Sequence, residues 1–252
     1  KISENSILNS EILFHFASIA HTSEKNINIF YKKLITNNYN STKYLAEMCL
    51  KLNVKKFIYI SSTKSLDPDF KNLDINQLKI FKTKNVYGKI KRLIELELQK
   101  IFVNSNTKLF IIRPALVYGP KAKGNLYYLK QYIAISPLVI LPKIQNKRNL
   151  IHIDNLIKLI DFVAFKNLKF INYTFADDRA YSFIEISNSI NLLYNKKIIY
   201  IKIPNIMLKF ILYLNFNFLN KIFSSEIYQK SDLKKYGYVE TMKIENFNET
   251  NI

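Results

Sequence analysis

A chain of 252 residues that is 48% hydrophobic can fill one large core or two small ones, which excludes a disordered chain. Its 38 basic and 19 acidic residues leave a net charge of +19, a balance that suits nucleic acid or an anionic membrane. Yet only Arg92, Arg113, Arg148 and Arg179 are arginine, the lysines are scattered, and the excess of Lys, Asn and Ile is what A/T-rich coding produces. No nucleic-acid partner is expected, and a functional basic surface is the alternative.

Cys49 is the single cysteine, so neither an internal disulfide nor a cysteine metal cluster can form, and the expected compartment is the reducing cytoplasm. No metal site is expected. The most apolar stretch, 206–223, is interrupted by Lys209, Asn215, Asn217, Asn220 and Lys221. It reads as a buried helical face, with peripheral membrane contact as the second reading.

In chain order, 12–17 reads as a strand and 29–52 as a helix whose buried stripe includes Leu34, Tyr44, Leu45, Met48 and Leu52. A second strand, 57–60, runs into Ser61, Ser62 and Thr63. A helix follows at 86–102, then a third strand at 109–112 that stops at Arg113 and Pro114. Strands alternating with helices imply βαβ units and a parallel sheet. Beyond Gly119, helices are predicted at 126–135, 154–165, 182–193 and 206–214, with strands at 173–176 and 198–203. A boundary near Gly119 is expected, separating residues 1–118 from a smaller part, 119–252.

The chemistry-bearing residues lie in the first part. Tyr87 and Lys91 stand four apart at the start of a helix and share one face. An ammonium beside a phenol favours the phenolate, so Tyr87 is expected to have a lowered pKa and to exchange protons near neutrality. Ser61, Ser62 and Thr63, 24 residues before it, end a strand at the carboxyl edge of the sheet, where such folds bind ligands. In isolation, the pair also reads as an exposed helix pair and the hydroxyls as a turn.

Residues 14–21 (Phe-His-Phe-Ala-Ser-Ile-Ala-His), 57–63, 87–91, 113–120 (Arg-Pro-Ala-Leu-Val-Tyr-Gly-Pro) and 148–156 (Arg-Asn-Leu-Ile-His-Ile-Asp-Asn-Leu) follow one another at a recognisable order and spacing. In these five motifs the chain resembles the NAD-dependent epimerase/dehydratase family of extended short-chain dehydrogenases, and is most similar to its bacterial surface-polysaccharide UDP-sugar 4-epimerases. The resemblance implies an α/β fold with a Rossmann-like doubly wound parallel sheet, here lacking its first strands, and a smaller C-terminal α/β substrate-binding part. It also implies NAD as cofactor, a UDP-sugar as substrate, polysaccharide biosynthesis as setting and a homodimer as assembly.

Residue by residue, the resemblance makes Tyr87 the catalytic acid/base, Lys91 the residue that tunes it and holds the nicotinamide ribose, and Thr63 the catalytic hydroxyl. Ala17, Asn38, Ser61, Ser62 and Pro114 fall at the cofactor. Arg148 matches the arginine that holds the UDP phosphates, and Lys123 and Asn125 lie where sugar or nucleotide is touched. The implied reaction oxidises C4 of the sugar transiently and returns the hydride to its other face.

Two departures stand out: Ile90 replaces the usual serine before the lysine, and Ser41 a glycine near Asn38. The glycines are Gly88, Gly119, Gly124 and Gly237, and none builds the Gly-x-x-Gly-x-x-Gly turn that cradles a pyrophosphate. An N-terminally truncated sequence, inactive alone, is therefore expected. Lys64 and Ser65 follow Thr63 where a 4,6-dehydratase needs an acid pair, which disfavours dehydration. A 4-ketoreductase and a catalytically idle sensor or interaction protein are the remaining alternatives.

Overall fold

The computed structural model describes residues 5, 7–19, 27–67, 85–119, 125–144, 146–168, 172–204, 225–242 and 244. The chain divides into two compact units, residues 1–114 with 160–175, and residues 115–159 with 176–252. The division thus falls after Pro114 rather than near Gly119, and the later segment 160–175 returns to the first unit. That return supplies a strand to the first sheet, a non-local pairing that no local signal announces.

Among the described residues, the first unit holds β1 (Ile12–His15), α1 (Ile27–Leu34), α2 (Ser41–Lys51), β2 (Lys56–Ile60), α3 (Val86–Phe102) and β3 (Lys108–Pro114). Its sheet is completed by β7 (Asn172–Phe175), and the order β1-β2-β3-β7 is parallel throughout. Leu13, Phe57 and Leu109 stand in register, as do His15, Tyr59 and Ile111. Alternation along each strand puts this set on one face. There Phe57, Tyr59, Leu109 and Ile111 join Leu45, Met48, Cys49, Ile90, Leu93, Ile94 and Leu98 from α2 and α3 in a single core cluster. Burial pushes the Cys49 thiol up to about 12, so it is an inert core residue.

α3 forms where its sequence predicts. Val86, Ile90, Leu93, Ile94, Leu98 and Phe102 recur at helical spacing and are all buried. The Asn85 side chain caps the helix by accepting from the Gly88 N–H at 3.0 Å. Its amide donates to the Lys64 carbonyl and to Asp67, each at 3.2 Å, which fastens the start of α3 to the short 3₁₀ turn Thr63–Leu66. Gly88 permits that approach, since a Cβ there would collide with the Lys64 carbonyl oxygen.

The stretch 29–52 is not one α-helix. A π-helical segment, Ile35–Asn40, separates α1 from α2 and has Asn38 and Tyr39 buried. β1 stops at His15, two residues before the expected end at Ala17.

The second unit holds β4 (Leu116–Tyr118), α4 (Asn125–Ile135), β5 (Val139–Pro142), β6 (Arg148–His152), β8 (Ala180–Tyr181), α6 (Phe183–Asn191) and β9 (Ile198–Ile201). α5 (Ile153–Phe165) begins in it. β4 pairs with β6 in parallel, β6 with β8 antiparallel, and β5 with β9 in parallel. Ser182 and Glu185 form a reciprocal capping box that starts α6. Asn155, fully buried, accepts from the Thr241 and Met242 N–H groups at 3.1 Å each and so holds the C-terminal segment to the start of α5.

Of the second-unit strands, β4, β5, β6 and β8 lie outside those predicted. The expected helix at 206–214 and the apolar stretch 206–223 lie outside the described residues. Among the described residues, no helix is long and apolar enough to cross a membrane.

Candidate active site

The carboxyl ends of β1, β2 and β3, with the first turns of α3, carry most of the expected site. Thr63, buried, opens the 3₁₀ turn against which α3 packs. Ser62 caps that turn, its Oγ accepting from the Lys64 N–H at 3.2 Å. Ser61 is 4% exposed and donates to the Glu95 carboxylate at 2.5 Å, so its hydroxyl is committed to the protein interior.

Lys91 is 2% exposed. Its ammonium donates to the Ile60 carbonyl at 2.8 Å and lies 4.7 Å from the Tyr59 ring centre and 5.8 Å from that of Tyr87. Burial pulls the Lys91 amine down to about 7, against the opposing pull of Glu95. Burial also raises the Tyr87 phenol, partly offset by the Ser18 hydroxyl.

This reverses the sequence expectation of a lowered phenol. Desolvation of the phenol sets the direction, and Lys91, at about 7, is itself only partly ionised near neutrality. The Tyr59 hydroxyl, buried in the same place, has no hydrogen-bond partner among the described residues.

Behind β1 a second network holds the loop that follows it. The Asn38 side chain pairs with the Ile19 backbone twice, accepting from its N–H at 2.8 Å and donating to its carbonyl at 3.0 Å. The Thr42 hydroxyl donates to the Asn38 carbonyl at 2.5 Å and therefore accepts from His15 Nε2 at 2.8 Å. Burial, then the nearby Lys91, pulls the His15 imidazole down to about 4, so the ring is neutral near pH 7. Ala17 is exposed in this loop, and Pro114 is buried at the end of β3.

The expected substrate residues belong to the other unit. Arg148 opens β6 and forms a 2.9 Å ion pair with Glu226, the side chains being 12% and 20% exposed. Its buried Nε has no hydrogen-bond partner among the described residues. Asn125 is the first residue of α4 and half-buried. Lys123 lies outside the described residues.

Sequence reasoning did not find Glu95, whose five hydrogen bonds link three segments of the site, nor His15, Tyr59 and Ser18 around Tyr87 and Lys91. The available signal for Glu95 was its place four residues after Lys91, a charge on the buried face of an amphipathic helix.

A parallel α/β sheet that gathers a hydroxyl, a phenol and a buried lysine around its carboxyl edge defines a Rossmann-like protein of the dehydrogenase type. The sequence comparisons refine this class, for the model of the NAD dependent epimerase/dehydratase family matches residues 5–172, and the chain belongs to that family.

Over 162 residues it is 32% identical to the UDP-glucose 4-epimerase of Vibrio cholerae, covering 60% of this chain and 47% of that one. It is also 29% identical over 171 residues to the dTDP-D-glucose 4,6-dehydratase of Dictyostelium discoideum, covering 62% of this chain and 38% of that one. These matches span less than half the length of either relative.

Among solved structures, the UDP-N-acetylglucosamine 4-epimerase from Bacillus cereus superposes with a TM-score of 0.69 at 14% identity, over 96% of this chain and 78% of that one. The UDP-glucuronic acid 4-epimerase from Bacillus cereus, in complex with UDP-glucuronic acid and NAD, gives 0.68 at 18% identity, over 96% and 74%. At such identities the likeness is one of fold.

Proposed function

We propose that the protein is an NAD-dependent nucleotide-sugar epimerase that inverts C4 of a UDP-hexose or UDP-N-acetylhexosamine. The observation that carries this reading is the buried Lys91, held within 6 Å of the Tyr87 ring on the helix packed against Thr63. NAD, when bound, supplies the acceptor and donor of the C4 hydride. The residues present fit its nicotinamide-ribose end, since Lys91 has two N–H donors beyond the one given to Ile60 and Tyr87 stands one helical turn away.

The roles of the side chains follow from their chemistry. Tyr87 takes the proton from the sugar's 4-hydroxyl and later returns it. Lys91, when ionised, lowers the barrier to phenolate formation that burial imposes. Thr63 donates or accepts at the same sugar oxygen, and Ser62 fixes the turn from which it does so. Asn38 holds the loop of Ala17 and Ser18 through Ile19, while Pro114 ends β3 at the same edge. Arg148, with Lys123 and Asn125, takes the UDP-sugar, its planar guanidinium suiting a diphosphate.

The proposed setting is polysaccharide biosynthesis in the cytoplasm, by a homodimer. The test is to incubate the whole protein and NAD with UDP-glucose and with UDP-N-acetylglucosamine. The expected result is interconversion with the C4 epimer and no net NADH. A 4-keto-6-deoxy product, or stoichiometric consumption of NADPH, would replace this reading with a dehydratase or a ketoreductase.

A further inference from the structure

Glu95 is fully buried, and the five hydrogen bonds it accepts come from four residues spread over the site's frame. Its Oε1 accepts from Ser61 Oγ at 2.5 Å, Ser65 Oγ at 2.7 Å and Arg113 Nε at 2.8 Å. Its Oε2 accepts from an Arg113 terminal nitrogen at 2.8 Å and from Arg92 at 3.2 Å. Ser61 directly follows β2 and Ser65 lies in the turn that Thr63 opens. Arg113 is the penultimate residue of β3, and Glu95 itself is one turn beyond Lys91 on α3. A bidentate carboxylate–guanidinium pair has a fixed planar geometry, and two hydroxyl donors remove the remaining freedom of the carboxylate.

Resting on the reading of Tyr87, Lys91 and Thr63 as the reactive groups, we propose that Glu95 is the positioning residue of the site. Its carboxylate locks the Thr63 turn, α3 and the end of β3 into one geometry, one helical turn from Lys91. Buried charges placed this way orient reactive groups at a distance and tune them. Among the described residues, the groups that bear on Lys91 are Tyr87 and Glu95 on α3, Tyr59 on β2 and His15 on β1, with Arg92 and Arg113 paired to Glu95. Of these, Glu95 is the acid that raises the lysine. Without its charge, fewer Lys91 amines are protonated near neutrality and Tyr87 ionises at a higher pH, so the acid limb of the rate profile moves upward.

The test compares Glu95→Gln, Ser65→Ala and the paired Glu95→Gln/Arg113→Gln, the last leaving no buried guanidinium without a counter-charge. Folding is checked by circular dichroism, and Lys91 is titrated by NMR of its labelled Cε. In Glu95→Gln the Lys91 titration is expected to fall by about one unit, and by less in the paired variant, which also loses the positive charge of Arg113. Turnover at pH 7 should drop about tenfold or more, with KM for the UDP-sugar within about threefold. In Ser65→Ala turnover falls while the Lys91 titration stays.

A folded Glu95→Gln with unchanged Lys91 titration and unchanged pH–rate profile would overturn the proposal, as would a folded paired variant with undiminished turnover at pH 7. If the unsubstituted protein does not interconvert UDP-sugars but the Lys91 titration still moves in the variants, the epimerase reading fails and the linkage of Glu95 to Lys91 stands.

Discussion

Two groups of charges, one in each unit, behave in opposite ways. In the first, the groups around Lys91 are buried and desolvation dominates, bringing an amine down to about 7 and an imidazole to about 4. In the second, Asp178 sits between Lys230 and Lys234, and Glu185 meets Arg179 and the α6 cap. Both carboxylates are held at about 2 in largely open surroundings. Charges of the second kind stay ionised across physiological pH and act as fixed points. Of the first kind, Lys91 sits near its titration point at physiological pH, which is where proton transfer is efficient, while His15 is held neutral. The contrast is one of burial, a desolvated cluster in the first unit against open ion pairs in the second.

The largest effect should come from the first unit. Tyr87→Phe removes the transferable proton and is expected to cut turnover by about 10²–10⁴-fold with the fold intact, as steady-state kinetics and circular dichroism would record. Lys91→Met should lose turnover comparably and weaken NAD binding as well.

The same burial predicts a pH-dependent stability. His15 is neutral in the folded chain down to about 4, whereas the unfolded imidazole takes its proton near 6.5. Between those values the unfolded state binds more protons, so stability falls as pH drops through this window and is unaffected by His15 above it. The loss is on the order of 3 kcal/mol for a shift of this size. Thermal melts from pH 7 to pH 4 should show it, and His15→Gln should flatten the slope.

How much of this contrast was legible in the sequence differs between the units. α3 was read to the residue because its apolar stripe is local and complete, and β2 and β3 to within two residues at either end. The π-helical segment was invisible, since one extra residue per turn leaves the apolar pattern of 29–52 nearly unchanged while turning Asn38 inward. In the second unit β4, β5, β6 and β8 are two to five residues long and pair non-locally, too short for a period to declare itself.

The Tyr87–Lys91 spacing revealed the pair, but the sign of the phenol shift depends on burial that spacing does not encode. Glu95 stayed hidden because its partners Ser61 and Arg113 lie 34 and 18 residues away.

Smaller effects are expected in the second unit. Arg148→Ala should weaken UDP-sugar binding by roughly 1.5–3 kcal/mol, the range for a charge-assisted hydrogen bond, with calorimetry as the check. Glu226→Gln should act in the opposite sense by less than about 1 kcal/mol, because the ion pair it removes is partly solvated and competes for the same guanidinium. A loosening of UDP on Glu226→Gln would mean that this carboxylate supports the arginine rather than competing for it.

The proposed role of Tyr87 and Lys91 in a reversible oxidation at C4 of a UDP-sugar is tested most directly by turnover of UDP-glucose deuterated at C4, by the whole protein and by Tyr87→Phe, followed by NMR. The expected result is UDP-galactose with the label still on C4, no net reduced cofactor, and no product from Tyr87→Phe. Label found on C6 of a dehydrated sugar, or undiminished turnover by Tyr87→Phe, would contradict it.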